Sequence, residues 1–430
     1  MSNQFPLSTR FKFLYSLGDI ATSAPLSILT FYQLVFLTDV AGLRPLNAGT
    51  AILLGKLWDA VNDPMMGLLS DRIRSDRGRR RIVLLFASIP FGLSYLLQFL
   101  TPQFSELGKT VYYAAVLILF DTLYTAVHVS YNALTPELTK DYDERSSLNG
   151  YRMAFSILGS LFGVILATIL GTIIEDQRTL YGTLGVSVGL LSAVVMMIVF
   201  RVTEGYDSVG AAGGEEHLSV RESIQATVQN RPFLWFMGLF LFSWTTANLL
   251  GTTLVFFANY YLGVPEQANF FVLVAQTSAI AFIPFWVWMA KRFDKRRAFI
   301  GGSLSWIVVL FALASAGSEQ IVLTYILAAL GGAGISTAYF LPWAMIPDLV
   351  ELDELKTGKR REGAFYSFAA FFQKLGTALA VWLLGVALEF RGYITPVTGE
   401  PLPVQPVEAV NAIRLAMGVV PAFLLIGAVI

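Results

Sequence analysis

Residues Leu180–Phe200 read LYGTLGVSVGLLSAVVMMIVF, an unbroken run without one charged side chain, followed at once by Arg201. A hydrocarbon core about 30 Å thick is crossed by about 20 helical residues, and only helices and closed barrels can pair their backbones inside it. The run has the length of one crossing. Further apolar runs fall at 13–37, 48–70, 82–101, 111–134, 151–174, 233–257, 269–290, 298–316, 321–347, 364–388 and 407–430. The pattern predicts an all-α polytopic membrane protein with 12 transmembrane helices. Composition agrees. Only 14% of the 430 residues are charged, against roughly a quarter in soluble domains, and mean hydropathy is +0.62.

The same composition excludes whole classes of function. Thirty basic and 30 acidic residues cancel, which leaves no polybasic footprint, so no nucleic-acid partner is expected. The absence of Cys removes disulfides, thiolate nucleophiles and iron–sulfur clusters, and two histidines, His128 and His217, cannot build a His metal cage. No paired nucleophile and base emerges from the spans, so the chain is not expected to be an enzyme or to carry a cofactor. Gly108-Lys109-Thr110 resembles a phosphate loop, but Gln103 stands where its first glycine belongs. An ATP-driven pump is not expected.

Orientation follows from the connections. The N-terminus and the segments after the even-numbered spans hold 23 of the 30 basic residues, counting Arg152, while those after the odd spans hold Arg44, Lys109, Arg178 and Arg391. Basic flanks resist translocation, so both termini are expected in the cytoplasm, with the protein in the plasma (inner) membrane. Arg10 and Lys12 imitate a signal-peptide start, but the run behind them is too long for one and reads as an uncleaved first helix. The polar stretch 201–232, with Gly210-Ala211-Ala212-Gly213-Gly214, predicts a cytoplasmic linker between six-helix halves at 1–200 and 233–430. Basic loops after spans 2 and 8 (Gly78-Arg79-Arg80-Arg81 and Lys291 to Arg297) mark an internal repeat. Repeated halves suggest a transporter with its solute site near the bilayer midplane. The last span stops at Ile430 without a polar flank, so the natural chain is expected to continue.

The charges inside the spans carry the chemistry. In Leu54-Gly55-Lys56-Leu57-Trp58-Asp59-Ala60-Val61-Asn62-Asp63-Pro64, Asp59 lies about 16 Å from either end of its span at 1.5 Å per residue. Each charge at such depth costs roughly 2.5–3.5 kcal/mol on insertion scales. Lys56, Asp59 and Asp63 form one helical stripe, with Asn62 a step round it. Two carboxylates sharing one cation leave a net negative site of hard oxygens, suited to Na⁺ or to a shared proton. Pro64 cannot donate to the carbonyl of Ala60, which adds a further oxygen. Read as packing alone, a Lys–Asp pair would leave the second acid over.

Lys374, ten residues into span 11, is too deep to snorkel and is expected to contact a solute anion or to report cation occupancy. Thr125, His128 and Asn132 share one face of span 4 and offer a hydroxyl, an imidazole and an amide to a cavity, though a lone His is commonly a packing residue. Arg152 either binds a phosphate or carboxylate through its fork or pairs with Asp143 or Glu144. Asp19 lies near enough to the first span's basic end for water to reach it. The Arg-rich loop at 72–81 reads as orientation and helix-end pairing for Asp71. The 33 Phe and 17 Tyr are expected mostly at lipid and interface.

Trp58-Asp59-Ala60-Val61-Asn62-Asp63-Pro64, followed by Gly67 and Ser70-Asp71-Arg72, and Leu37-Thr38-Asp39-Val40-Ala41-Gly42-Leu43 resemble the glycoside-pentoside-hexuronide:cation symporters of the major facilitator superfamily. The resemblance implies that superfamily's fold and alternating access between the halves. It also implies a coupling-cation site at Asp59, Asn62, Asp63 and Thr125, and solute or coupling roles for Arg152 and Lys374. In melibiose permease-like members, acids on helices 1 and 4 hold galactosyl hydroxyls; the matching positions here are Ser23 and His128. His128-Val129-Ser130-Tyr131-Asn132, Tyr151-Arg152-Met153 and Phe340-Leu341-Pro342-Trp343 instead resemble the sodium-dependent lysophosphatidylcholine symporters.

The resulting expectation is a symporter, functional as a monomer among membrane lipids, that uses Na⁺ (at Asp59 and Asp63) or H⁺. Its solute is a sugar or glycoside-like molecule or a polar-headed amphiphile. Asn132, Asn248 and the threonines at 245, 246, 252 and 253 offer amides and hydroxyls to a sugar, while Arg152 or Lys374 would meet a phosphate. The alternatives are a sodium-dependent lysophospholipid symporter in particular, or a passive lipid scramblase.

Overall fold

The computed structural model describes residues 7–73, 75, 78–139, 141–206, 230–357, 362–397 and 400–430. Most of the expected linker, including His217, lies outside them, as do Arg74 and Arg77 of the Arg-rich loop and the side chains of Pro64, Ser70, Asp71 and Arg72. The described residues are helical and contain no strand. In chain order the helices are α1 Thr9–Val35, α2 Pro45–Arg72, α3 Arg79–Gln98, α4 Glu106–Leu138, α5 Tyr142–Ile173, α6 Gln177–Val202 and α7 Arg231–Phe256. There follow α8 Ala268–Phe293, α9 Lys295–Ser315, α10 Ile321–Thr357, α11 Glu362–Phe390, α12 Val407–Met417 and α13 Val419–Val429. The expected last span is therefore two helical segments broken at Gly418. Among the described residues, 11 helices are long and apolar enough to cross a membrane. α2 falls short of that measure because Lys56, Asp59, Asn62 and Asp63 interrupt it. It is the twelfth helix all the same.

Several helices outrun their apolar spans, since hydropathy marks the lipid slab while caps mark the helix. Ser105 accepts the Gly108 N–H at 3.3 Å at the start of α4, and Asp141 accepts the Glu144 N–H at 2.8 Å at the start of α5. Asp176 caps α6, taking the Thr179 hydroxyl at 2.6 Å and its N–H at 2.8 Å. Those two bonds, the hydroxyl's first, hold its carboxyl below the usual carboxylate range.

Two compact units divide the chain: Met1–Leu43 with Leu54–Gly214, and Arg44–Leu53 with Glu215–Ile430. In the first, α1 packs along α5 and α6, and α3 along α4 and α6. Small residues allow this, because lipid offers no hydrophobic drive and helices associate by close contact. A Cβ at Gly163 of α5 would meet Ser27 Oγ of α1 at 2.6 Å and the Ala24 carbonyl at 2.8 Å. In the second unit, Phe233, Phe236 and Phe240 of α7 form a core with Ile346 and Val350 of α10 and Phe365 and Ala369 of α11. Many aromatic rings are interior as well as peripheral: Tyr15, Tyr95, Tyr113, Phe91, Phe120 and Trp306 are all fully buried.

The units also repeat each other locally. Each first helix ends in one π-turn, Phe36–Val40 after α1 and Phe257–Tyr261 after α7. Each turn is closed by a glycine at positive φ, 73° at Gly42 and 69° at Gly263, a conformation that strains other L-residues. The six-residue bonds Leu43 N–H to Leu37 O (2.9 Å) and Val264 N–H to Ala258 O (3.0 Å) match. So do two ion pairs joining the start of a third helix to the later part of a fourth, Arg80–Glu137 at 3.7 Å and Lys295–Asp348 at 2.6 Å. Gly163→Leu is expected to wedge α1 from α5, a loss of about 1–3 kcal/mol or more. Thermal unfolding in detergent would show it as a lower transition, with Gly182→Leu, whose Cβ position meets nothing within 4 Å, as the unaffected control.

Candidate functional site

The acidic stripe of α2 faces α4 inside the first unit. Gly55 permits the approach: a Cβ there would meet Leu117 Cβ of α4 at 2.9 Å and Asp121 Oδ2 at 3.4 Å. Thr125 Oγ1 lies 3.2 Å from Asp59 Oδ1 and 2.9 Å from Asp63 Oδ1. A threonine hydroxyl has a single hydrogen, so one donor serves two carboxylates. Asp59 and Thr125 are 5% and 1% exposed, and Asn62 is equally buried. Asn62 Nδ2 donates to the Asp121 carbonyl at 3.4 Å, and Trp58 Nε1 to Thr122 Oγ1 at 2.8 Å. Two carboxylates from adjacent turns thus converge with a hydroxyl and an amide in the interior of a membrane bundle. That is a donor set for a hard monovalent cation or for a shared proton. Among the described residues no group of three or more His, Cys, Asp or Glu is arranged to hold a metal ion.

Lys56 interacts electrostatically with both carboxylates of its own stripe, as expected, but its shortest contact is elsewhere. Its ammonium reaches across to Asp121 Oδ1 of α4, at 2.9 Å, and Asp121 is 1% exposed. Asp121 is the residue sequence reading passed over. Its signal was present: an acid inside an apolar run, one turn before Thr125.

Arg152 likewise leaves its expected partners. Its fork closes on Asp19 of α1, Nε to Oδ2 at 3.0 Å and Nη2 to Oδ1 at 3.1 Å. Nη1 donates to Thr135 Oγ1 at 2.7 Å, Nη2 also donates to Asn132 Oδ1, and the guanidinium stacks 4.5 Å from the centre of the Tyr131 ring. Glu144 takes Lys12 instead, at 2.9 Å. Asp19 is not the wetted group its position suggested: it is 7% exposed and also accepts the Tyr131 hydroxyl at 2.6 Å. Burial removes water, so the bidentate charge-assisted pair takes its place.

Thr125, His128 and Asn132 share a face of α4, as their spacing predicts, but they serve two clusters. Thr125 joins the acids, while Asn132 Nδ2 meets His128 Nε2 at 2.8 Å and the His128 ring stacks on Tyr124 at 5.1 Å. Since Asn132 gives its oxygen to Arg152, its amide nitrogen is the donor to His128, and His128 Nε2 accepts. Ser23 turns its hydroxyl back onto the Asp19 carbonyl at 2.7 Å. Lys374 lies on α11 in the second unit, partly buried. Thr245 and Asn248 of α7 bond back to the Leu241 and Trp244 carbonyls.

Charged groups buried among helices of membrane-crossing length are the arrangement expected of a membrane transport protein. The profile of the MFS/sugar transport protein family matches residues 14–430. An uncharacterized symporter of Synechocystis is 36% identical, covering 97% of this chain and 92% of its own. Sodium-dependent lysophosphatidylcholine symporter 1-A of Danio rerio is 30% identical over 90% of this chain and 79% of its own. The crystal structure of the nucleoside transporter NupG superposes with a TM-score of 0.70 at 14% identity, covering 98% of this chain and 99% of that one. The chain belongs to the MFS/sugar transport protein family, in its cation-symporter branch, and is a transporter, not an enzyme.

Removing Arg152 strands a buried carboxylate, a loss of about 3–5 kcal/mol. Arg152→Gln is therefore expected to lower the melting transition sharply, and the added Asp19→Asn to recover much of it. A double mutant no more stable than Arg152→Gln would contradict the pairing.

Proposed function

We propose that this transporter couples the inward movement of a polar-headed amphiphile to Na⁺, bound by Asp59 and Asp63 with Thr125 and Asn62. The observation that carries the cation site is the single Thr125 hydroxyl set between two carboxylates. A monovalent cation among these converging oxygens would neutralise one charge and meet several lone pairs at once. Relatives named as sodium-dependent support Na⁺ over a proton.

The solute reading rests on what the site lacks. Ser23 and His128, standing where galactoside carriers have acids, are engaged by the Asp19 carbonyl and Asn132 and offer no carboxylate to sugar hydroxyls. Arg152 is held by Asp19, and Lys374, to which the family resemblance gives a solute or coupling role, is the residue assigned to the solute's anionic group. A glycoside-like solute is the second reading, favoured by the family to which the chain belongs. The halves at 1–200 and 233–430 would alternate access as rocking bodies joined by the 201–232 linker. The protein would work as a monomer in the plasma membrane, with both termini cytoplasmic.

In proteoliposomes, an inward Na⁺ gradient is expected to drive lysophospholipid accumulation above equilibrium, and Asp59→Asn or Asp63→Asn to abolish it while leaving folding intact. Equilibration without accumulation would indicate a passive scramblase, and accumulation of glycosides alone would establish the second reading. The cysteine-free chain also permits a topology test. Gln103→Cys is expected to react with an impermeant maleimide in intact cells, and Tyr142→Cys only after permeabilisation.

A further inference from the structure

Three carboxylates and one ammonium lie on the facing sides of α2 and α4, in two rungs. One rung is Lys56 with Asp121; the next, one turn along each helix, is Asp59 and Asp63 with Thr125. A single bound cation at the second rung would leave the first needing its own positive charge, because a buried carboxylate without one is strongly destabilising. Lys56 supplies it. Its hydrogen-bonded partner is on another helix, at 2.9 Å, while its charge also acts on Asp59 and Asp63 of its own stripe. Gly55 admits Asp121 to this position and leaves no room for a side chain between them.

We infer that Lys56 is a tethered cation that fills, at Asp121, the place of a second coupling ion, and so fixes the transporter at one Na⁺ per cycle. This inference rests on the reading of Asp59 and Asp63 as the cation site. Lysine suits such a role because its ammonium is a compact monovalent charge on a flexible stem, comparable to a small cation where an arginine fork is not. The two members of the rung then act with opposite sign. Without Lys56, Asp121 recruits a second ion. Without the Asp121 charge, Lys56 turns to Asp59 and competes with the first.

The test is equilibrium binding of radioactive sodium to the purified protein in detergent, at constant ionic strength with choline as the replacement cation. The wild type is expected to bind one Na⁺ with a Hill coefficient of one. Lys56→Met is expected to bind two, with a Hill coefficient above one. Asp121→Asn is expected to keep one site with affinity weakened on the order of tenfold, within the usual range of coupling between sites. The double variant Lys56→Met/Asp121→Asn, which removes both charges, is expected to return to one site of wild-type affinity. If Lys56→Met is too unstable to purify, comparing the double variant with Asp121→Asn carries the test alone. One Na⁺ per chain in Lys56→Met, or a double variant as weak as Asp121→Asn, overturns the inference. Sodium binding that survives Asp59→Asn overturns the cation-site reading itself. Loss of binding in Asp59→Asn together with a single-site Lys56→Met overturns only the role given to Lys56.

Discussion

An ionised side chain within hydrocarbon must find a counter-charge on a neighbouring helix, and that requirement orders the first unit. Each intramembrane charge costs roughly 2.5–3.5 kcal/mol to insert, and isolated helices have little else to tell one face from another. Lys56 turns α2 toward α4 by way of Asp121, and Arg152 turns α5 toward α1 by way of Asp19. Close packing follows the same directions. Gly55 lies beside Lys56 and faces α4, and Gly159 and Gly163 of α5 face α1. Charge selects the face and glycine sets the distance.

Helix α4 takes part in both clusters. Asp121 and Thr125 address α2; further along, Asn132 and Thr135 address Arg152, with His128 bonded to Asn132. A charge change at the acids and a change at the Arg152 fork would thus act on one rigid element, which is the physical form that coupling between two sites requires. His128 stands between the two. Its tautomer is set indirectly: Arg152 fixes the Asn132 amide, and the amide fixes which imidazole nitrogen accepts.

The twelve helices were legible because hydropathy over twenty residues is a strong signal, and α2 was legible despite its charges because they keep one helical stripe. What could not be read was the partner of each charge. Lys56 and Asp59 are neighbours in sequence, yet the pair forms with Asp121, 65 residues away. Arg152 lies close to Asp143 and Glu144 along the chain, and its fork goes to Asp19. Spacing along one helix predicts which residues share a face, and it contains nothing about which helix that face meets. The repeat was legible in part. The basic loops showed it, while the matched π-turns ending in Gly42 and Gly263 escaped because Leu37–Leu43 and Ala258–Val264 share little beyond the glycine.

The scaffold repeats, and so do the ion pairs Arg80–Glu137 and Lys295–Asp348, but the carboxylates buried in mid-helix do not: among the described residues the carboxylate buried in the second unit, Asp353, lies near the end of α10. The first unit buries Asp19, Asp59 and Asp121. In the second, α7 turns Thr245, Thr246 and Asn248 onto backbone carbonyls and lines its core with Phe233, Phe236 and Phe240 beside Trp343. Hydroxyls and amides satisfied by carbonyls of their own chain must be released before they can bind a sugar, at about 1 kcal/mol or more apiece. That release cost is the physical ground on which the proposed reading prefers an amphiphile to a glycoside.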